Sequence, residues 1–195
     1  MLVETFFAMI SRMKYINRWG LMNNKRTENL SEHSLETALI AHALATLGNK
    51  RLGKSLDADH IAVMAVFHDC TEIITGDMPT PIKYYNDEIR RSYKEIERIA
   101  AKELVSLLPE DLQDVYEPLL NEKGNTEYET RLVKAADKIA AYVKCIDEIR
   151  LGNDEFVKAK EASEKAIKAM NLPEADIFMK EFAPAYGLTL YEIKL

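Results

Sequence analysis

Residues 67–81 read FHDCTEIITGDMPTP. His68, Asp69 and Glu72 fall within five positions, directly after the apolar run DADHIAVMAV. Imidazole and carboxylate together suit Zn, Mn, Fe, Co or Ni. With His68 as origin on a helical wheel, Asp69 falls about 100° round and Glu72 about 40° round, one turn further on. An ion on the bisector of His68 and Asp69 then has Glu72 behind it, leaning back because helical side chains tilt toward the N-terminus. A general base for an ion-activated water belongs there. The alternative is a polar helix end that reaches solvent.

Helix geometry sorts the four histidines, His33, His42, His60 and His68. His33 and His42, nine residues apart, point about 180° apart on one helix. His60 and His68, eight apart, are separated by about 12 Å along theirs. Neither pair can share an ion, and His42 and His60 read as packed or surface residues. His33 opens another helix within SEHS, and Asp137 lies in KAADKIAAY, flanked by alanines. A buried aspartate there needs an ion or a salt bridge, for which Lys134, Lys138 and Arg131 are available.

The elements that must position these groups are helical. Apolar spacing predicts a first helix ending near Asn17. A second is capped by Asn29 or Ser31, carried by Leu35, Leu39, Leu44 and Leu47, and closed at Gly48. A third runs from Asp57 to about Thr75. A fourth covers about 87–107, with Ile89, Tyr93, Ile96, Ala100 and Leu104 on one face. A short fifth opens at Pro109. TEYE (126–129) is a capping box for a sixth that reaches about Leu151. A seventh spans about 153–170 and an eighth opens at Pro173. The tail LTLYEIKL is either a short helix or an edge strand. The glycines, Gly124 among them, are expected at helix ends. The segments 18–29 and 76–86 are the longest irregular stretches, where functional loops are found. The expected fold is all-α, one domain over residues 1–195, a compact globule of about eight helices.

Bulk properties fit an ordinary soluble globule: 195 residues, 47% apolar, 30% charged. A net charge of −6 disfavours a nucleic-acid polymer as partner but permits a small anionic substrate in a locally positive pocket. No apolar run is long enough for a membrane span, and the N-terminus is unlike a signal peptide. Cys70 and Cys145 have no zinc-type spacing and read as packed, reduced thiols of a cytoplasmic protein.

Four longer stretches, INRWGLM, RTENLSEHS, HDCTEIITGDMPTPIKYYN and LVKAADKIAAYVKC, resemble the YfbR-like 5′-deoxynucleotidases. These are HD-domain metal-dependent phosphohydrolases that remove phosphate from deoxyribonucleoside 5′-monophosphates. The resemblance runs from Phe6 to about Phe182. It implies that His33, His68, Asp69 and Asp137 hold one divalent ion, Co²⁺ or Mn²⁺ in vitro, and that Glu72 activates water. It implies that Arg18 orients the phosphate and Trp19 packs by the sugar. Asp77 with Met78, Pro79 and Thr80 would hold that sugar, and the ligands His33, Asp69 and Asp137 would also face the substrate. It further implies a homodimer. Di-iron members of the HD group carry extra histidines between His68 and Asp137; this chain has none there, so a single ion is expected.

Taken without the resemblance, Arg18 reads as a surface residue, Trp19 as a core anchor, Asp77 as a turn residue and Lys83 as a solvated charge. Two other functions compete: an HD hydrolase of another nucleotide, such as a triphosphohydrolase, and a helical binding module with a structural metal. Glu72 argues against the second, because a structural site needs no acid behind its ion.

Overall fold

A computed structural model describes residues 3–83, 85–121 and 125–194. Every regular element among them is helical, apart from one isolated bridge between Asn17 and Asn29. The α-helices are α1 (Phe6–Ile10), α2 (Leu30–Leu52), α3 (Ala58–Phe67), α4 (Glu72–Thr75), α5 (Thr80–Lys83), α6 (Asp87–Val105), α7 (Glu110–Asn121), α8 (Glu127–Arg150), α9 (Val157–Ala169) and α10 (Pro173–Glu181). Short 3₁₀ segments cover Ser11–Tyr15, Asp154–Phe156 and Ala183–Gly187. None of the described helices is long and apolar enough to cross a membrane.

The two longest helices start where their sequences say. The Asn29 side chain accepts from the Glu32 N–H and Glu32 reaches back to the Asn29 N–H, and Thr126 and Glu129 do the same for α8. Around α2 and α8 forms the main core: Ile40, Ala41 and Leu44 of α2, Ile61 and Ala65 of α3, and Leu132, Ala135, Ala136 and Ile139 of α8. The alanines let the helix backbones approach closely, which brings the polar residues between them within reach of one another. A second cluster joins Phe6, Met13, Leu30 and Cys70 to Leu104 and Leu108, and roofs the turn after α3. Both cysteines are free and buried.

Five sequence expectations change. Gly48 does not end α2; the helix continues to Leu52 and is capped by Gly53, at φ 68°. Gly48 serves close packing instead, because a Cβ there would lie 2.8 Å from Glu174 Oε1 and 3.1 Å from Leu56 Cδ1. Leu35 and Leu39 are not core residues of α2: they are 63% and 65% exposed, while Thr37, Ala38, Ile40 and Ala41 face inward. Ile96 likewise leaves the buried face of α6. The expected third helix is broken at 68–71 into α3 and α4, with 3₁₀-type bonds from Cys70 N to Phe67 O and from Glu72 N to Asp69 O. The tail is neither helix nor strand over 188–194 but a turn, closed by Glu192 Oε2 accepting from Thr189 N and Oγ1. Gly124, and Tyr84 within the 76–86 segment, lie outside the described residues.

Candidate metal centre and substrate cavity

Four elements converge on one point. His33 stands on the first turn of α2, His68 caps α3, Asp69 follows in the break, and Asp137 lies midway along α8. One ligand atom from each lies within 4.8 Å of the others, so the four could hold a metal ion.

His33 Nε2 is 3.2 Å from Asp137 Oδ1 and 3.7 Å from Asp69 Oδ2, and His68 Nε2 is 3.1 Å from the same Asp69 oxygen. His68 Nδ1 lies 2.7 Å from the Ala65 carbonyl. Only a protonated Nδ1 can donate to that carbonyl, which leaves Nε2 facing the cluster. This is the tautomer a metal ligand needs.

The electrostatics are those of a site that expects positive charge. Burial disfavours ionised His68, yet Asp69 and Asp137 hold its pKa up at about 9. Burial would raise both aspartates, but His68, Arg18 and His33 hold Asp69 far below the carboxylate range, and His33 holds Asp137 at about 2. Two ionised carboxylates against two histidines match the charge and donor preferences of a divalent cation.

Glu72 opens α4 just outside the cluster, 5% exposed. Burial, then Asp69 and Asp77, push its carboxyl up to about 9, against Lys83 and Arg18. Its Oε2 has no hydrogen-bond partner, and His68 Nε2 has only the Asp69 carboxylate beside it. A buried polar atom without a partner costs roughly 1–3 kcal/mol. The unpartnered Glu72 oxygen, beside the crowded His33, His68, Asp69 and Asp137 side chains, fits a centre completed by a cation and water.

Beside the cluster lies a cavity of about 490 Å³. Arg18 and Asp137 border it on the side of the ligands. Trp19, Gly20, Leu21 and Met22 form one wall, and Asp77, Met78, Pro79, Thr80 and Pro81 a second. Lys138 and Ala141 of α8, with Ala159, Ala162, Ser163 and Ala166 of α9, close the third. Arg18 is neither solvated nor isolated: Nη1 donates to Asp69 Oδ2 at 3.0 Å, and Nε donates to Glu28 Oε2 at 3.2 Å. Trp19 is half core anchor and half cavity wall, with its ring centroid 5.3 Å from that of Phe156. Burial raises the Asp77 carboxyl while Arg18 and the Trp19 backbone draw it down, which makes it more than a turn residue.

Other expectations separate from the site. His42 is exposed and 3.4 Å from Asp59, and His60 meets Asn125 at 2.9 Å. Lys83 is not a solvated charge; it donates to Glu97 at 2.8 Å and lies 4.7 Å from the Tyr93 ring centroid, fastening α5 to α6. Asp137 takes its partners from His33 and Arg18. Two features escaped the sequence reading. Glu28 carries no local signal in RTENLSEHS. The α9 wall does: Ala159, Ala162, Ser163 and Ala166 are small residues at helical spacing.

With this geometry in view, comparison with known proteins is decisive. The family described as 5′-deoxynucleotidase YfbR-like matches residues 5–186. The chain belongs to the YfbR-like family. It is 50% identical over 193 residues to a 5′-deoxynucleotidase of Erwinia tasmaniensis, covering 99% of this chain and 98% of that one. It is 49% identical over 188 residues to 5′-deoxynucleotidase YfbR of Escherichia coli, covering 96% and 94%. Among solved structures, an HD-domain phosphohydrolase from Listeria innocua superposes with a TM-score of 0.80 at 24% identity, over 93% of this chain and 88% of the other. The HD phosphohydrolase of cyanophage S-2L, bound to dA and one catalytic Zn²⁺, gives 0.70 at 20% identity, over 97% and 99%. These likenesses establish for the YfbR-like chain the HD-type helical fold.

Proposed function

We propose that the protein is a metal-dependent 5′-deoxynucleotidase, which hydrolyses deoxyribonucleoside 5′-monophosphates to deoxynucleoside and phosphate, and that residues 1–195 act as one domain. One observation carries this reading: four ligand residues converge beside a cavity of about 490 Å³ whose lining includes one of them, Asp137, and Arg18. Membership of the YfbR-like family gives the substrate class.

In this reading His33, His68, Asp69 and Asp137 hold one divalent cation. When bound, that cation acidifies a water and offsets charge on the phosphate. Glu72, as carboxylate, takes the proton from the attacking water, from the position behind the ligands that a general base needs. Arg18 presents its guanidinium to the phosphate oxygens, the planar fork that such a group binds best. Phosphoryl transfer needs chiefly this positioning and charge. Trp19 and the Asp77–Thr80 segment form the walls against which the deoxyribose lies.

A triphosphohydrolase is less well supported, because the cavity lining contains only two basic residues, Arg18 and Lys138, among the described residues. A structural-metal module is opposed by the buried, unpartnered Glu72. We also propose Co²⁺ or Mn²⁺ as the activating ions in vitro, a cytoplasmic protein and a homodimer. The free buried cysteines suit a reducing compartment, and the outward-facing Leu35 and Leu39 supply apolar surface for a second copy.

The test is phosphate release from dAMP, AMP and dATP by metal-stripped protein, with Co²⁺, Mn²⁺, Mg²⁺ or Zn²⁺ restored, beside Glu72→Ala. Metal-dependent release from dAMP and not AMP, lost in the variant, is the expected result. Release from dATP alone would move the reading to a triphosphohydrolase.

A further inference from the structure

We propose that Glu28, to which no role has been assigned above, is the positioning residue that locks Arg18 and Trp19 into one unit. It thereby couples phosphate orientation to recognition of the sugar. The inference rests on the deoxynucleotidase reading for its kinetic part but not for its geometric part.

Glu28 is 8% exposed. A single oxygen, Oε2, accepts from Arg18 Nε at 3.2 Å and from Trp19 Nε1 at 2.9 Å. The backbone places it there: Arg18 N donates to Glu28 O at 2.9 Å and Leu30 N to Ile16 O at 3.0 Å, zipping 16–18 against 28–30. Trp19 then adopts φ 61°, a conformation that costs a bulky residue energy and persists only where its surroundings impose it. Those surroundings are Glu28 at the indole N–H, and Met22 N and Asn24 Nδ2 donating to the Trp19 carbonyl at 2.9 and 3.2 Å.

The consequence for Arg18 follows from its partners. Its Nη1 lies 3.0 Å from Asp69 and its Nη2 3.9 Å from Asp137. Both are candidate metal ligands. Without Glu28 on the Nε side, the guanidinium keeps only the pull of those carboxylates, and its plane is no longer held from the opposite edge to face the phosphate. The same loss releases the indole edge from the cavity wall. One acceptor therefore sets the plane of two substrate-facing groups.

Because one oxygen serves both donors, the amide oxygen of Glu28→Gln can replace it, whereas Glu28→Ala cannot. Trp19 is the single tryptophan of the chain, so its fluorescence reports the indole directly and needs no substrate. The experiment combines emission and acrylamide quenching of the metal-loaded protein with kcat and KM for dAMP and AMP, for wild type and both variants. Thermal melting and Mn²⁺ affinity are measured in parallel. In Glu28→Ala, Trp19 should become more quenchable, kcat for dAMP should fall about 30-fold, and the dAMP-to-AMP preference should narrow. Mn²⁺ affinity should stay within about threefold, as expected for a residue that touches no ligand atom. Glu28→Gln should keep wild-type quenching and come within about fivefold of wild-type kcat. Unchanged Trp19 quenching in Glu28→Ala would overturn the proposal. So would equal loss of kcat in both variants, or a loss that follows Mn²⁺ affinity. A wild-type protein inactive on dAMP would refute the deoxynucleotidase reading, while the fluorescence still decides the role of Glu28.

Discussion

Two buried polar clusters in this protein have opposite character. In one, Glu148 Oε1 accepts from Lys144 Nζ at 2.6 Å and Arg26 N at 3.0 Å, and Oε2 accepts from Lys25 N at 2.8 Å and Asn153 Nδ2 at 2.7 Å. Lys144 also donates to the Arg26 carbonyl and Asn153 to the Asn23 carbonyl. Both Glu148 oxygens are doubly satisfied. In the other, Glu72 keeps a buried oxygen without a partner, and His33 and His68 crowd the two aspartates at unequal distances. A closed cluster holds the fold, here by tying the 23–26 segment to α8. An open one is shaped for something the chain itself does not supply.

The comparison breaks most visibly when one charge is deleted from each. Asp137→Ala should lower dAMP hydrolysis beyond the roughly 100-fold upper end for the loss of an outer contact to a metal ligand. The melting temperature of the metal-free protein should fall only modestly, because His33 loses its 3.2 Å partner while a charge crowded against Asp69 is also gone. Phosphate release and calorimetry check both halves. Glu148→Ala should do the reverse. It should cost about 3 kcal/mol of stability by stranding buried Lys144 and Asn153, read by urea denaturation, while Mn²⁺ affinity of the folded fraction stays unchanged.

A smaller effect comes from pH. Burial would raise the Glu148 carboxyl, but the bonds from Lys144, Lys25, Asn153 and Arg26 bring it down to about 2, from a usual 4.5. A depressed folded pKa gives stability that is complete above the unfolded value and disappears as pH falls through the folded one. The wild type should therefore lose more stability than Glu148→Gln between pH 4.5 and 2, measured by denaturation at each pH. Parallel curves would show that the closed cluster contributes less than its geometry implies.

Much of this was legible in the sequence, for stated reasons. Capping boxes at Asn29 and Thr126 are local, so the starts of α2 and α8 could be read directly. His33, His68, Asp69 and Asp137 stood out because metal-binding chemistry restricts residue type, and helix angles excluded His42 and His60. What was missed depends on neighbours distant in sequence. Gly48 looked like a stop because nothing nearby reveals Glu174 pressing against it. Leu35 and Leu39 fit a helical apolar pattern, yet which stripe of α2 faces α3 and α8 is decided by packing. The turn at 68–71 has no glycine or proline to announce it. Glu28 gains its place only when 16–18 pairs with 28–30.

The central claim is that the open cluster is a catalytic metal centre rather than a structural one. It is tested most directly by titrating Mn²⁺ into chelator-stripped protein while following helicity and phosphate release from dAMP. The account predicts that the stripped protein stays folded and inactive, and that activity returns in step with one ion per chain. A stripped protein that is unfolded, or one that hydrolyses dAMP at full rate, would contradict it.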